Sequence, residues 1–264
     1  MTTPPTQPLT KSPLAAGEQD WSVDPVEIEK FNRLAAEWWN PRGKFRPLHE
    51  FNPVRLQFIR DVSTRHFGRD ANALRPFEGL NLLDIGCGGG LLSEPAARMG
   101  FSVLGADASQ KNVKTARAHA AEAKLDLSYQ VTTAEALARE GAQFDFILNM
   151  EVVEHVADLS GFLTACAQLL KPDGVMLVAT LNRTLKSLAL AKIGAEFVLR
   201  WLPPGTHDWN RFVRPLELKN LLEDAGLTVS ATQGVFFDPL RWEWRLSSDT
   251  DVNYMVVAEK RMAR

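Results

Sequence analysis

An apolar run that breaks into alternating glycines restricts the possible folds of this chain more than any other feature. Residues 81–90 read Asn-Leu-Leu-Asp-Ile-Gly-Cys-Gly-Gly-Gly. The apolar part has the length and content of a buried strand. The glycines that follow make a turn whose backbone can take φ > 0 and approach a ligand with no Cβ in the way. A second apolar run, Phe101 to Asp107, ends in an acid about twenty positions beyond Gly86. A carboxylate at that spacing can accept hydrogen bonds from both hydroxyls of a ribose.

The glycine spacing separates two nucleotide ligands. A dinucleotide site needs G-x-G-x-x-G to seat a pyrophosphate on a helix N-terminus. Here the order is Asp84-x-Gly86-x-Gly88-x-Gly90, with a carboxylate two residues before the first glycine. That carboxylate repels a diphosphate and suits a ligand carrying an ammonium group. S-adenosylmethionine has a ribose, an amino group and a sulfonium, and no phosphate. Asp84, Gly86, Gly88 and Asp107 are therefore candidate cofactor positions, and the predicted chemistry is methyl transfer rather than nicotinamide-dependent redox. The bland alternatives are a ligand-free turn and a helix-capping Asp107. Three alternating glycines are costly without a ligand, and Ser109 already suits the cap.

From Leu80 onward, runs with strand character alternate with helical ones. Strands are expected at 80–86, 101–106, 126–131, 144–149, 174–180, 230–237 and 252–259. Helices are expected at 90–99, 109–124, 158–170 and 214–225, with a further segment at 184–202. This alternation predicts an α/β fold, a doubly wound, seven-stranded, mostly parallel sheet with its ligand at the C-terminal strand ends. The last two strands have no helix between them and can pair as a hairpin at the sheet edge. Before the sheet, Asp24-Pro25 opens a capped helix to Trp39, and Pro53 opens another to about His66. Residues 1–20, rich in Thr and Pro, read as a disordered tail without signal or transit character. Residues 21–264 read as a single domain, with 184–213 inserted after the fifth strand. A net charge of −2 offers no field for nucleic acid. Cys87 and Cys166 lack metal-ligand spacing and read as reduced thiols of a cytosolic protein. No apolar stretch is long enough, and free enough of charge, to span a bilayer.

Four further features are candidates for a part in the chemistry. Glu151, Glu154 and His155 follow the fourth strand and share one face if the segment turns helical. Two carboxylates and an imidazole can hold a divalent cation, or one of them can take a phenolic proton. They can also be no more than a polar strand-to-helix turn. Met150, at the strand end, is placed to pack near an adenine. Arg55 can clamp a carboxylate with its guanidinium or can be an ordinary surface arginine. Drawn as a helix, residues 185–202 carry Lys192, Glu196 and Arg200 on a narrow stripe and apolar side chains elsewhere. Such a segment can lie in a membrane interface, cover an oily substrate, or be a core helix.

Several motifs together resemble the O-methyltransferases of ubiquinone biosynthesis, from about Glu27 onward. They are Trp38-Trp39, Phe45-Arg-Pro-Leu-His49, Asn52-Pro-Val-Arg55, Leu83 to Gly90, Met150-Glu-Val-Val-Glu-His155, Thr180-Leu-Asn-Arg183, Gly205-Thr-His-Asp208 and Asp251-Val-Asn-Tyr254. The glycine motif is common to class I, Rossmann-like methyltransferases, and the others are far more particular. The resemblance implies S-adenosylmethionine bound at Arg55, Gly86, Asp107 and Met150, and a divalent cation such as Mg²⁺ at Glu151, Glu154 and His155. It implies methylation of 2-polyprenyl-6-hydroxyphenols and 3-demethylubiquinol, with His155 and Glu154 on the acid–base side. It also implies a lipophilic polyprenyl substrate, a biosynthetic complex, and a cytoplasmic protein peripheral on the inner face of a bacterial membrane. Asp173-Gly174 departs from the family's more usual Gly-Gly turn, and Trp242-Glu-Trp244 is not a mark of the family.

Overall fold

The computed structural model describes residues 22–189 and 208–260. The expected tail and most of the 185–202 segment lie outside them. Helix α1 (Pro25–Leu34) starts where predicted, because the Asp24 side chain accepts from the Val26 N–H at 2.9 Å and Pro25 occupies the first turn. A 3₁₀ turn at Ala35–Glu37 follows. Helix α2 (Arg46–His66) begins earlier than expected and carries Pro53 in its interior. An internal proline costs about 3 kcal/mol. Phe51, Val54, Phe58 and Ile59 are buried from the same helix, each contributing about 1.5–3 kcal/mol, so packing carries the helix through the proline.

The alternating part builds β1 (Asn81–Ile85), α3 (Ser93–Arg98), β2 (Ser102–Asp107), α4 (Gln110–Glu122), β3 (Ser128–Val131), α5 (Ala134–Arg139), β4 (Phe144–Met150), α6 (Leu159–Leu169) and β5 (Leu170–Leu181). Then come α7 (Leu185–Leu188), α8 (Pro215–Asp224), β6 (Thr228–Asp238), β7 (Glu243–Ser247) and β8 (Asn253–Glu259). Helix α5, capped by Thr133, was not anticipated. The sheet has eight strands rather than seven, in the order β3-β2-β1-β4-β5-β8-β6-β7. β3 through β5 run parallel, while β8 is antiparallel to both β5 and β6. The two strands read as an edge hairpin do pair, but β8 lies inside the sheet and β7 forms the edge. β7 escaped notice because Glu-Trp-Arg-Leu-Ser looks polar. Its alternation is nonetheless that of a strand, with Trp244 and Leu246 turned to the core.

Each buried strand feeds two cores. Leu83, Ile85, Ile147 and Val178 face α6 and α8, whereas Leu82, Phe146, Leu148 and Leu177 face α2 and α3. Period-two alternation of apolar residues on both faces is what a covered parallel sheet requires. β1 has β2 on one side and β4 on the other, with Ile85 opposite Asn149. Connections leave to opposite sides at that point, so the ends of β1 and β4 open a crevice. Gly86 and Met150 stand at its floor.

Candidate active site

The turn after β1 is built for close approach. Gly86, Gly88 and Gly90 all have positive φ, at 69°, 55° and 89°. Gly86 and Cys87 donate their N–H groups to the Ala106 carbonyl at 2.7 and 3.0 Å, which ties the turn to β2. Asp107, half-buried at the end of β2, accepts from the Gly88 N–H at 2.9 Å and the Ser109 N–H at 2.7 Å. Ser109 itself caps α4 by accepting from the Asn112 N–H, so the cap is not the role of Asp107. Asp84 is buried and receives the Ser93 hydroxyl at 2.5 Å. Burial, with Asp107 nearby, pushes its carboxyl up to about 7. A carboxyl that loses its charge when desolvated regains it beside a cationic ligand.

The glycine turn is covered by the N-terminal segment. A Cβ at Gly88 or Gly89 would collide with the Trp38 ring system. Trp38 stacks on Phe45 with ring centroids 3.8 Å apart and donates its indole N–H to Asn112 Oδ1 at 2.9 Å. Asn112 in turn donates to Asp107 Oδ1 at 3.3 Å. Trp39 donates to the Gly89 carbonyl at 2.8 Å and stacks on His119, whose Nδ1 lies 2.7 Å from Glu94. The Trp-Trp pair stood in the sequence only as a family mark, and its contacts give it a physical role.

Across the crevice, Glu151 follows β4 directly with φ of 60°. A side-chain-bearing residue there costs about 1–3 kcal/mol and is held by its surroundings. Its carboxylate takes Arg55 Nη2 at 2.7 Å. Arg55 is 2% exposed, lies 3.9 Å over the Phe51 ring and has no partner for its Nε. Burial pulls its basicity down, against the charge of Glu151. Arg55 is thus no surface arginine. Glu154 is buried behind the crevice, where one oxygen takes the Thr180 hydroxyl at 2.8 Å and Oε1 has no partner. Burial, and then the charge of Glu151, raise its carboxyl. His155 faces the crevice with Nδ1 2.8 Å from Glu27 Oε2. Burial alone would lower its imidazole, but the Glu27 hydrogen bond and the charge of Glu154 leave it raised. Glu27 was not singled out from the sequence.

The metal set expected at Glu151, Glu154 and His155 is not assembled. The three side chains turn to Arg55, Thr180 and Glu27, and among the described residues no group of three His, Cys, Asp or Glu stands ready to hold an ion. The donor chemistry still suits a hard divalent cation, and Glu154 Oε1 is a buried oxygen lacking a partner.

One cavity of about 970 Å³ joins these parts. Asp84, Gly86, Asp107, Met150, Arg55 and His155 line it, so the cofactor positions read from the sequence come together. Its remaining wall is largely apolar, from Pro47 and Leu48 of α2 to Phe236, Trp242 and Trp244 of the β6–β7 hairpin. Nothing in the sequence reading had pointed to that hairpin.

Comparison with known proteins places this geometry. A methyltransferase-domain family matches residues 55–232. Ubiquinone biosynthesis O-methyltransferase of Caulobacter vibrioides is 59% identical over 93% of this chain and 98% of its own. The protein of the same name from a Chelativorans species is 61% identical over 90% of this chain and 94% of its own. Among solved structures, the magnesium protoporphyrin IX methyltransferase of Synechocystis with bound SAH superposes with a TM-score of 0.59 at 22% identity, over 88% of this chain and 94% of that one. A SAM-dependent methyltransferase from Thermotoga maritima gives a TM-score of 0.61 at 17% identity, over 88% of this chain and 99% of that one. The two structures share the fold, and the two relatives share most of the sequence: the chain belongs to the ubiquinone biosynthesis O-methyltransferase family.

Proposed function

We propose that this protein transfers a methyl group from S-adenosylmethionine to a phenolic hydroxyl of polyprenylated ubiquinone precursors, 2-polyprenyl-6-hydroxyphenol and 3-demethylubiquinol. The observation that carries the reading is the shared cavity. It joins a phosphate-free nucleoside cradle to an imidazole and a long apolar wall. Its volume is at the upper end for one drug-sized ligand and leaves room for a second.

Bound S-adenosylmethionine supplies an electrophilic methyl group on sulfur. The protein's own residues do the rest. Arg55 receives the methionyl carboxylate, exchanging Glu151 for it. Asp84 balances the amino group, Asp107 takes the ribose hydroxyls, and Met150 packs on the adenine. His155 takes the phenolic proton, so that the oxygen attacks as a phenolate. The apolar wall receives the prenyl chain and excludes water. Glu154, bonded to Thr180 behind the crevice, fixes the turn that presents His155. A divalent cation such as Mg²⁺, held by Glu151, Glu154 and His155 once Arg55 has released Glu151, would acidify the phenol.

Purified protein incubated with S-adenosylmethionine and a short-prenyl demethylubiquinol is expected to form the methylated quinol. The same incubation with chelator tests the cation. Product lost with chelator and restored by Mg²⁺ supports the ion, and product indifferent to chelator leaves His155 to act without it. No product, with cofactor binding demonstrated and lipid present, would move the reading to another acceptor.

The oily substrate also motivates a peripheral contact with the inner face of the bacterial membrane through 185–202, on a protein working within a biosynthetic complex. Among the described residues no helix is long and apolar enough to cross a membrane. Leu185, at the start of that segment, is 78% exposed. Replacing its apolar residues with polar ones is expected to abolish sedimentation with anionic liposomes. Equal sedimentation of both proteins would remove this contact.

A further inference from the structure

An acid in the first turn of a helix ordinarily serves the helix dipole from the solvent side. Glu27 sits in the first turn of α1 and is buried instead, 9% exposed. Its Oε2 is 2.8 Å from His155 Nδ1, and its other oxygen takes Lys30 at 2.5 Å. Phe31, one turn further along α1, meets the same imidazole edge-on at 5.1 Å. Helix α1 thus supplies both a polar and an apolar contact to a ring more than a hundred residues away in sequence.

The helix is fastened at several points. Arg211 bonds Asp24 at 2.7 Å, and the Ala157 N–H donates to the Ser22 carbonyl at 2.9 Å. Ser109, two residues past Asp107, donates to Asn32 at 2.6 Å. One helix therefore touches the imidazole near its start and the cofactor cradle near its end. Glu27, His155 and Asp107 line the same cavity.

A carboxylate that accepts from Nδ1–H fixes both the plane of an imidazole and its tautomer. We infer that Glu27 is the positioning residue for His155: it holds Nδ1 so that Nε2 meets the phenol. The inference rests on the reading of His155 as the proton acceptor. In the step it serves, the phenolic proton passes to Nε2 and the oxygen forms a bond to the methyl carbon. The carbon–sulfur bond breaks with its electron pair going to sulfur, which leaves as a neutral thioether. The imidazolium, paired with the Glu27 carboxylate, returns its proton to water. If His155 instead binds a cation through Nε2, Glu27 orients it in the same way.

The test compares Glu27→Gln, Glu27→Asp, His155→Ala and the double variant Glu27→Gln/His155→Ala in the full chain, with the short-prenyl demethylubiquinol as acceptor. Glu27→Gln is expected to lower kcat about 10- to 100-fold, as loss of a group orienting a functional imidazole does. KM for S-adenosylmethionine stays near the wild-type value. Glu27→Asp keeps the charge but withdraws it by a methylene, and falls between. In the His155→Ala background, Glu27→Gln causes no further loss, which a purely structural role would not produce. Nitrogen-15 NMR of the wild-type imidazole, recorded where the ring is neutral, should show the proton on Nδ1, a readout that survives if a variant folds poorly. A proton on Nε2, or equal losses from Glu27→Gln with and without His155, would overturn the inference while leaving the role of His155 intact. Wild-type kcat in His155→Ala would instead remove the reading beneath it.

Discussion

Alanine at His155 is expected to lower kcat by about two to four orders of magnitude, the range for losing a positioned general base. Affinity for S-adenosylmethionine should stay close to that of the wild type. The separation follows from the geometry. His155 lines the cavity from the turn after β4, where it meets Glu27 and Phe31 of α1, whereas the proposed ribose and glycine-turn positions follow β2 and β1. Removing the imidazole also strips Glu27 of a partner, so thermal stability falls as well, and turnover should be measured well below the melting transition. Single-turnover rates beside calorimetric titration with the cofactor make the check. Small, equal losses in rate and affinity would end the role assigned to His155.

Replacing Arg55 with alanine should act on the opposite quantity. Truncating one partner of a buried, charge-assisted pair costs about 2–5 kcal/mol. Each 1.4 kcal/mol is tenfold, so the affinity for S-adenosylmethionine is expected to fall by about one and a half to three and a half orders of magnitude. Arg55→Lys should recover only part, because a compact ammonium cannot reproduce the two-pronged guanidinium. Glu151 sharpens the prediction. It occupies Arg55 Nη2 at 2.7 Å, and with Arg55 in the proposed role it would compete with the ligand's carboxylate. Glu151→Gln weakens that competitor and should tighten cofactor binding. Calorimetry on the three variants decides the matter. Unaltered affinity in Arg55→Ala would place the carboxylate elsewhere.

How far the sequence discloses the site depends on the separation between interacting residues. The β1 turn, Asp107 and the end of β4 are legible because each is a local pattern, and the sheet topology needs only alternation to bring them together. Arg55 gave no local sign of its burial, since a lone arginine on a helix reads the same at the surface as beneath an aromatic ring. Less legible was the arrangement of Glu151, Glu154 and His155. Their spacing would place them on one helical face, but the left-handed backbone at Glu151 sends its carboxylate to Arg55, and Thr180 and Glu27 draw the other two away. Glu27 itself was hidden by an ordinary position, the first turn of a helix. Its partner arrives only through tertiary contact. The apolar wall at Trp242 and Trp244 was obscured in the same way, in a strand whose charged residues face outward.

The clasp of Trp38 and Trp39 over the glycine turn affects timing more than strength. Its bonds to Asn112 and Gly89, and its stack on His119, involve protein groups alone. None of the three is made to a ligand. A ligand that must pass beneath the clasp is therefore expected to meet the same barrier on arrival and on departure, with the ratio of the two rates nearly untouched. What the paired tryptophans lengthen is the residence of whatever lies beneath them, spent cofactor included. Repeated turnover is then expected to depend on the unfastening of two indole rings as well as on the methyl group in flight.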